Sequence, residues 1–132
     1  MLHEDLTEKV IGCAFRVYNA KGFGFNEKVY ENCMMIELRK LALQAQQQFP
    51  IKVYYEDECV GDFDADLFVG DEVLVELKSV RKLAEAHEQQ LVNYLVATRK
   101  DVGLLINFGP DRVEVRRKVR DLKDLNNEEE TK

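Results

Sequence analysis

The sequence lacks the features that mark a membrane or a secreted protein. No apolar run approaches the ~20 residues that a membrane-spanning helix needs, and the opening stretch MLHEDLTEKV has neither the basic segment nor the apolar core of a signal peptide. Cysteine is scarce: Cys13, Cys33 and Cys59 lie far apart, are odd in number and show no Cys-x-x-Cys spacing. Neither a disulfide framework nor a zinc site is therefore indicated, and we expect a cytoplasmic protein whose cysteines fill space as small apolar side chains.

Positive charge is also in short supply. The chain has 19 Lys and Arg against 25 Asp and Glu, a formal net charge of −6, which argues against a protein that coats nucleic acid nonspecifically through many phosphate contacts. Basic residues nevertheless crowd one C-terminal stretch, Arg112, Arg116, Arg117, Lys118, Arg120 and Lys123. This stretch is either a basic binding face or an ordinary solvated surface diluted by neighbouring acids.

The 132 residues contain no internal repeat and no low-complexity linker, so we expect one domain. It should cover residues 1–124, and the polar, acidic residues 125–132 should form a disordered tail. Helical spacing of apolar residues predicts a first helix at about 4–20, which ends at the glycines of KGFGFN. Asn26 is the expected cap of a second helix that runs to about Leu41, with Val29, Cys33 and Ile36 on its core side.

The rest of the chain reads as strands around one more helix. Strands are expected at about 51–55, 59–69 and 73–80, a helix at 82–99, a buried strand in VGLLINF and an edge strand in RVEVRRK. The order α-α-β-β-β-α-β-β predicts an α/β fold in which helices flank a mixed sheet.

Charged residues interrupt two of these strands in DADLFVGDEVLVELK, residues 64–78. If the connecting loop is the three residues 70–72, Val69 pairs with Val73, which sets Asp66 across from Glu76 and Asp64 across from Lys78. A two-residue loop would shift the register and separate the two carboxylates. Strand alternation predicts that the opposite face is a continuous apolar surface for helices to cover, formed by Phe63, Ala65, Leu67, Val69, Val73, Val75 and Leu77.

Two facing carboxylates repel each other unless a cation lies between them. Mg²⁺ suits such a pair, because it takes one or two protein carboxylates, keeps several waters and also binds a substrate phosphate. Lys78 would then orient a water or stabilise developing negative charge on phosphorus. The alternative is a surface hairpin with a cross-strand Asp64–Lys78 pair and a solvated Glu76. Spacing alone does not separate these two interpretations.

Asp66, followed ten residues later by Glu76-Leu77-Lys78 at the end of a hydrophobic strand, resembles the PD-(D/E)xK nuclease superfamily. GFNEKVY, residues 24–30, is similar to the Gly-x-x-Glu-x-x-Tyr signature of the GxxExxY family within it, and HEQQLVNYL and GLLINFG resemble later segments of that family. The resemblance implies a restriction-endonuclease-like fold. The chain departs from the pattern at Ala65, where the superfamily name has Pro, and at Asp64, where a basic residue is expected.

The resemblance also implies residue roles. Glu27, Asp66 and Glu76 would be metal ligands, Lys78 the catalytic lysine, and Gln90 a polar residue near the site on the following helix. The sequence allows two roles for each of two further residues. His87, one turn before Gln90, would either support the site or be a structural histidine, and Tyr30 would either reach the edge of the site or brace its helix.

The function implied by the resemblance is a Mg²⁺-dependent nuclease, with Mn²⁺ as an alternative ion, that hydrolyses phosphodiester bonds in nucleic acid, DNA being favoured over RNA. The alternative function is a catalytically weak or inactive module of nuclease fold that binds nucleic acid or protein. A third hypothesis, an assembly component that uses the apolar face of the first helix, has no residue that singles it out. No membrane partner is expected, and the oligomeric state is open, a homodimer included.

Overall fold

The computed structural model describes residues 3–120. Three helices and five strands occur in the order expected from the sequence: α1 Glu4–Lys21, α2 Glu27–Lys40, β1 Ala45–Tyr55, β2 Glu58–Val69, β3 Val73–Lys78, α3 Glu85–Thr98, β4 Val102–Phe108 and β5 Val113–Val119. None of the helices within residues 3–120 is long and apolar enough to cross a lipid bilayer. The predicted tail, residues 125–132, lies outside the described part of the chain.

The strands form one sheet in the order β1-β2-β3-β4-β5. Neighbours are antiparallel except for β3 and β4, which are parallel and are joined through α3. This is the expected mixed sheet, and β5 is an edge strand as RVEVRRK indicated. The fold is α/β, because helices cover both faces of the sheet, and its element order is consistent with the restriction-endonuclease-like fold that the resemblance implies.

One face of the sheet is covered by α1 and α2 and the other by α3. The α1 residues Val10, Ala14 and Val17 are buried against the sheet, as the helical spacing predicted. The prediction of which face of α2 is buried is wrong, because the buried face is rotated by about one residue from the predicted one. Its buried apolar residues are Tyr30, Met34 and Leu38, while the predicted Ile36 is 46% exposed and Val29 and Cys33 are only partly buried.

Strand β1 starts six residues earlier than the predicted start at Ile51, because the polar run AQQQFP pairs with β2 at every residue except Gln48. Polar residues and Pro50 are tolerated here because β1 is an edge strand, where one row of backbone groups needs no partner in the sheet. Two other boundaries shift: β3 ends at Lys78 rather than at residue 80, and α3 begins at Glu85 rather than at residue 82.

The three cysteines are free thiols in different surroundings. Cys13 is buried in the core, as a space-filling thiol should be, and Cys33 is partly buried against it. Cys59 is exposed on β2, so the prediction of an apolar filling role is wrong for this residue. The error arises because β2 continues into a hairpin whose end is not covered by a helix.

Candidate active site

Strands β2 and β3 meet in a short ladder that ends at the charged residues. The loop of Gly70, Asp71 and Glu72 pairs Val69 with Val73, and the register continues only to Leu67 and Val75. The three-residue loop predicted from the sequence is thus confirmed. Gly70 is required in it, because its φ is +60° and an added Cβ would lie 3.0 Å from a methyl group of Leu6.

Beyond Leu67 the two strands separate, since β2 continues along β1 to the far end of their hairpin while β3 continues along β4. Asp66 and Glu76 occupy this point of separation. The backbone N–H of Asp66 donates to Oε1 of Glu76 at 2.9 Å, and the backbone N–H of Leu77 donates to Oδ2 of Asp66 at 2.7 Å. Each carboxylate therefore replaces a ladder hydrogen bond and is held in place by the opposite strand.

The single apolar face predicted for β2 and β3 is divided at the same point. Leu67 packs in the α1–α2 layer, whereas Ala65 packs in the α3 layer and the ring of Phe63 lies 5.8 Å from that of Tyr94 on α3. On β1, between the partners of Leu67 and Ala65, Gln48 has a left-handed φ of 53°. Strict alternation fails because the hairpin bends here. The predicted pairing of Asp64 with Lys78 is wrong for the same reason, because the register between β2 and β3 ends at Leu67 and Val75.

Burial and mutual repulsion favour the protonated forms of the two carboxyl groups. Burial raises the pKa of Glu76 to about 8, with the charge of Asp66 adding to the effect, while the Asp66 N–H and the Lys78 charge oppose it. Burial also raises the pKa of Asp66, as do the charges of Glu31 and Glu27, against the lowering effects of the Leu77 N–H and Lys78. The site therefore disfavours simultaneous ionisation of both carboxyl groups in the absence of a cation.

The donor set of this pair fits a hard divalent cation. Oδ1 of Asp66 and Oε2 of Glu76 have no hydrogen-bond partner among residues 3–120, so one oxygen of each carboxylate is available to a ligand. Two carboxylates are sufficient protein ligands for Mg²⁺. In the described part of the chain, no three His, Cys, Asp or Glu side chains are arranged closely enough to hold a metal. The site as built has two carboxylates, and Glu27 as a third ligand stays a prediction.

Glu27 begins α2 and is partly exposed. Asn26 caps the helix as predicted, since its side chain accepts a hydrogen bond from the backbone N–H of Lys28. Gly24, with a φ of +115°, and Tyr30 shape the turn before it. Tyr30 is fully buried, stacks on Phe108 with ring centroids 4.2 Å apart, and donates to the carbonyl oxygen of Gly22. Tyr30 therefore braces the turn before Glu27. Of the two roles that the sequence allowed for Tyr30, the structure favours the bracing role over contact with the site.

Lys78 is the last residue of β3, and strand alternation places it on the same face as Glu76. It is partly buried and forms no ion pair within residues 3–120. Gln90 is exposed on α3 and lines a groove that also contains Tyr94. The Nδ1 atom of His87 accepts a hydrogen bond from the backbone N–H of Ala84 at 3.0 Å, so His87 caps the start of α3. The structural interpretation of this histidine is thus supported.

Two buried residues near the site were missed on the sequence. Glu31, 3% exposed, lies one turn after Glu27 and accepts hydrogen bonds from Lys28 Nζ, Gln47 Nε2 and Gln48 Nε2 at 2.8, 2.6 and 2.8 Å. It thereby ties α2 to the bend in β1 that lies opposite Asp66. Its position four residues after Glu27 on a helix was the available signal, because such residues share a face.

The second missed residue is Asn107, fully buried near the end of β4 and paired in register with Lys78. Its side chain accepts from the backbone N–H of Val80 at 2.9 Å and donates to the Val80 carbonyl at 2.8 Å and to Glu114 at 3.0 Å. Asn107 therefore fixes the chain directly after Lys78. Nothing in an apolar run such as VGLLINF distinguishes a structural asparagine from a surface one.

Three residues of the basic C-terminal stretch pair with acids, and Lys123 lies outside the described residues. Lys118 pairs with Glu88 at 2.7 Å, Arg120 with Asp101 at 3.0 Å and Arg116 with Glu114 at 3.8 Å. These pairs favour an ordinary solvated surface over a binding face for this part of β5.

Comparison with known proteins identifies the superfamily of the chain and a structure of similar fold. The model of the PD-(D/E)XK nuclease superfamily matches residues 4–118, and the chain belongs to that superfamily. Its fold is similar to the crystal structure of SSO0001, with a TM-score of 0.56 and 16% sequence identity over 76% of this chain. The chain spans 53% of the length of that protein, and a likeness at this identity concerns the fold alone. A search among curated proteins finds no match.

Proposed function

We propose that this protein is a nuclease that uses Mg²⁺, or alternatively Mn²⁺, to hydrolyse phosphodiester bonds in nucleic acid, with DNA favoured over RNA. The observation that carries the proposal is the Asp66–Glu76 pair at the point where β2 and β3 separate, with Lys78 two residues further along β3. We further propose that the chain is a member of the GxxExxY family. The positions of Gly24, Glu27 and Tyr30 around the turn before α2 support that assignment.

Each residue has a role that follows from its position. The free oxygens of Asp66 and Glu76 would hold the cation, with Glu27 as a third or water-mediated ligand. A bound divalent cation would offset the repulsion of the carboxylates, polarise a phosphate and lower the pKa of a water. Hydrolysis forms a bond from a water oxygen to phosphorus as one ester bond breaks, and the Lys78 ammonium would stabilise the charge that develops on the phosphate oxygens. Gln90 would contact the substrate beside this centre.

The charge of the site itself supports a cation requirement. With Glu76 carrying a pKa of about 8, the metal-free pair resists full ionisation near neutral pH. An anionic substrate would meet further negative charge from Glu27 and Glu31, which both act on Asp66. A bound cation removes this barrier because it favours the ionised carboxylates and attracts the phosphate.

The test combines metal-binding calorimetry with cleavage assays on single- and double-stranded DNA and RNA. Wild type should bind Mg²⁺ or Mn²⁺ and cut at least one substrate, and both properties should be lost in Asp66→Asn. Asp64→Asn is the matched control, since it removes the same charge from an exposed residue of the same strand that faces Pro50. Cleavage that persists in chelator would overturn the proposal. Metal binding without cleavage of any substrate would favour the inactive binding module.

A further inference from the structure

A groove of about 960 Å³ runs between the β1–β2 hairpin and α3. The structure assigns it to unpaired nucleotides: we propose that a single-stranded segment of nucleic acid lies in this groove, with its bases against the aromatic side chains of the hairpin. This substrate assignment rests on the proposed nuclease function and adds the strand state of the substrate to it.

Aromatic side chains supply the stacking surfaces of the groove. Tyr54 is 61% exposed and Phe63 44% exposed, so both rings are accessible to a ligand in the groove. The ring of Phe63 lies 5.8 Å from that of Tyr94, at the base of the groove. Exposed aromatic faces beside a groove are the usual platform for bases of single strands, because every base has a π-face and a duplex keeps its bases stacked on each other.

Amide side chains line the α3 wall. Gln89, Gln90 and Asn93 are exposed there, and an amide both donates and accepts hydrogen bonds, as the edges of unpaired bases do. Gln89 and Asn93 are already oriented by a hydrogen bond between them at 2.9 Å. These groups match the polar edges of bases better than the ridge of phosphates that a duplex presents.

The charge of the groove fits a nucleic-acid strand of limited length. Lys52 and Arg99 line it, and among the described residues that line it none is acidic, in a chain of net charge −6. Two cations are too few for the many phosphate contacts that dominate duplex binding. One of them, Lys52, is also shared with Asp62 at 3.1 Å. The groove therefore favours stacking with modest electrostatic support.

The groove leads to the carboxylate pair. Tyr94, which lines it, packs in one cluster with Ala65, the neighbour of Asp66, and Phe63 lies on the same strand three residues before Asp66. A strand with bases in the groove thus has its backbone within reach of the point where β2 and β3 separate.

The experiment is fluorescence anisotropy with the full chain in chelator, where a metal-dependent enzyme does not cut. A labelled oligothymidine, an oligouridine and a DNA duplex of similar length are the probes. We expect a single strand to bind more tightly than the duplex. Phe63→Ala, Tyr54→Ala and Gln90→Ala should each weaken that binding, the two aromatic changes by about 5-fold or more. Gln90 is an exposed helix residue, so its replacement leaves the fold intact.

Tyr55→Ala is the matched control, since Tyr55 is the next residue of β1, is 68% exposed and does not line the groove. Equal binding of duplex and single strand would overturn the assignment, as would groove variants that bind like Tyr55→Ala. Groove variants that instead change the oligomeric state, with strand binding unaffected, would identify the groove as an interface between copies and also overturn the assignment.

Cleavage assays separate the two proposals. Strand binding without metal-dependent cleavage would reject the nuclease function alone. Cleavage that the groove variants leave unchanged would reject the single-strand assignment of the groove alone.

Discussion

The backbone N–H of Asp66 donates to the side chain of Glu76, so one acidic residue orients the other across the point where two strands separate. The strand that carries Glu76 orients Asp66 in turn, because the Asp66 carboxylate accepts a hydrogen bond from the backbone N–H of Leu77, the neighbour of Glu76. Both carboxylates are thus preorganised by main-chain donors. A substitution of one side chain therefore leaves the main-chain donor of the other carboxylate in place.

Glu76 and Lys78 should fail for different reasons when replaced. Glu76→Ala removes a proposed ligand, so metal affinity should fall and excess metal should partly restore the rate. Lys78→Ala keeps both carboxylates and should bind metal nearly as wild type does, while turnover falls by about 100-fold or more. Calorimetry beside single-turnover cleavage separates the two. A Lys78→Ala protein that cuts at the wild-type rate would contradict the role assigned to this lysine.

The stability of the metal-free protein should fall as pH rises from about 5 to about 8. The pKa of Glu76 is raised from 4.5 to about 8 in the folded protein, so in this window the folded state holds a proton that the unfolded state has lost. Unfolding is then favoured by rising pH, at up to about 1.4 kcal/mol per pH unit. Thermal melts in chelator across this range measure the effect.

Glu76→Gln should flatten that pH dependence and raise the melting temperature at pH 8, because a neutral amide carries no ionisation cost. Asp64→Asn should keep the wild-type slope, since Asp64 is an exposed residue of the same hairpin. Parallel curves for wild type and Glu76→Gln would show that Glu76 does not carry the buried charge. Saturating Mg²⁺ should reverse the wild-type slope, because a bound cation favours the ionised carboxylates.

Glu31→Ala should destabilise the protein by about 3 kcal/mol and lower cleavage activity. It leaves the side-chain amide of Gln48 without its acceptor, leaves that of Gln47 with Asn32 alone, and loosens the bend of β1 opposite Asp66. Denaturant unfolding measures the first effect and a cleavage assay the second. Glu37→Ala is the control on the same helix: its pairs with Arg16 and Lys40 are screened by solvent, so the loss of stability should be much smaller than for Glu31→Ala. Equal losses of unfolding free energy in the two variants would contradict the structural role assigned to Glu31.

Asn107→Ala should cost about 2 kcal/mol, since it leaves the backbone N–H and carbonyl of the partly buried Val80 without these partners. Turnover should fall with metal affinity largely kept, because the segment held by Asn107 directly follows Lys78 and not the ligands. Asn93→Ala, at an exposed position of α3, is the stability control. Unchanged turnover in a folded Asn107→Ala protein would show that Lys78 needs no such support.

The sequence was sufficient for the fold because its strongest signals are local. Helical spacing in α1, the cap Asn26 and the three-residue loop before Val73 each specify an element without reference to distant residues. The loop length also determined that Asp66 and Glu76 face each other. For this reason the carboxylate pair, the centre of the site, was predictable from strand alternation and one turn.

The errors lie where tertiary contacts override the local pattern. The left-handed φ of Gln48 and the end of the β2–β3 ladder turn Ala65 toward α3, and no alternation rule contains that bend. Glu31 and Asn107 are buried polar residues whose partners are distant in sequence, Gln47 and Val80. Spacing alone cannot distinguish such residues from solvated ones, because their donors and acceptors meet only in the folded chain.

The strand order β1-β2-β3-β4-β5 has a consequence for how the chain folds. Each strand in space follows the one before it in sequence, so the sheet can grow from one edge, with only short hairpin closures from residue 45 to residue 78. The slow step should be the parallel joining of β4, which must wait for the crossover through α3. Asp66 and Glu76 should therefore meet early in folding, when strands β1 to β3 pair. The last strands to dock, including β4 with Asn107, then complete the sheet beside them.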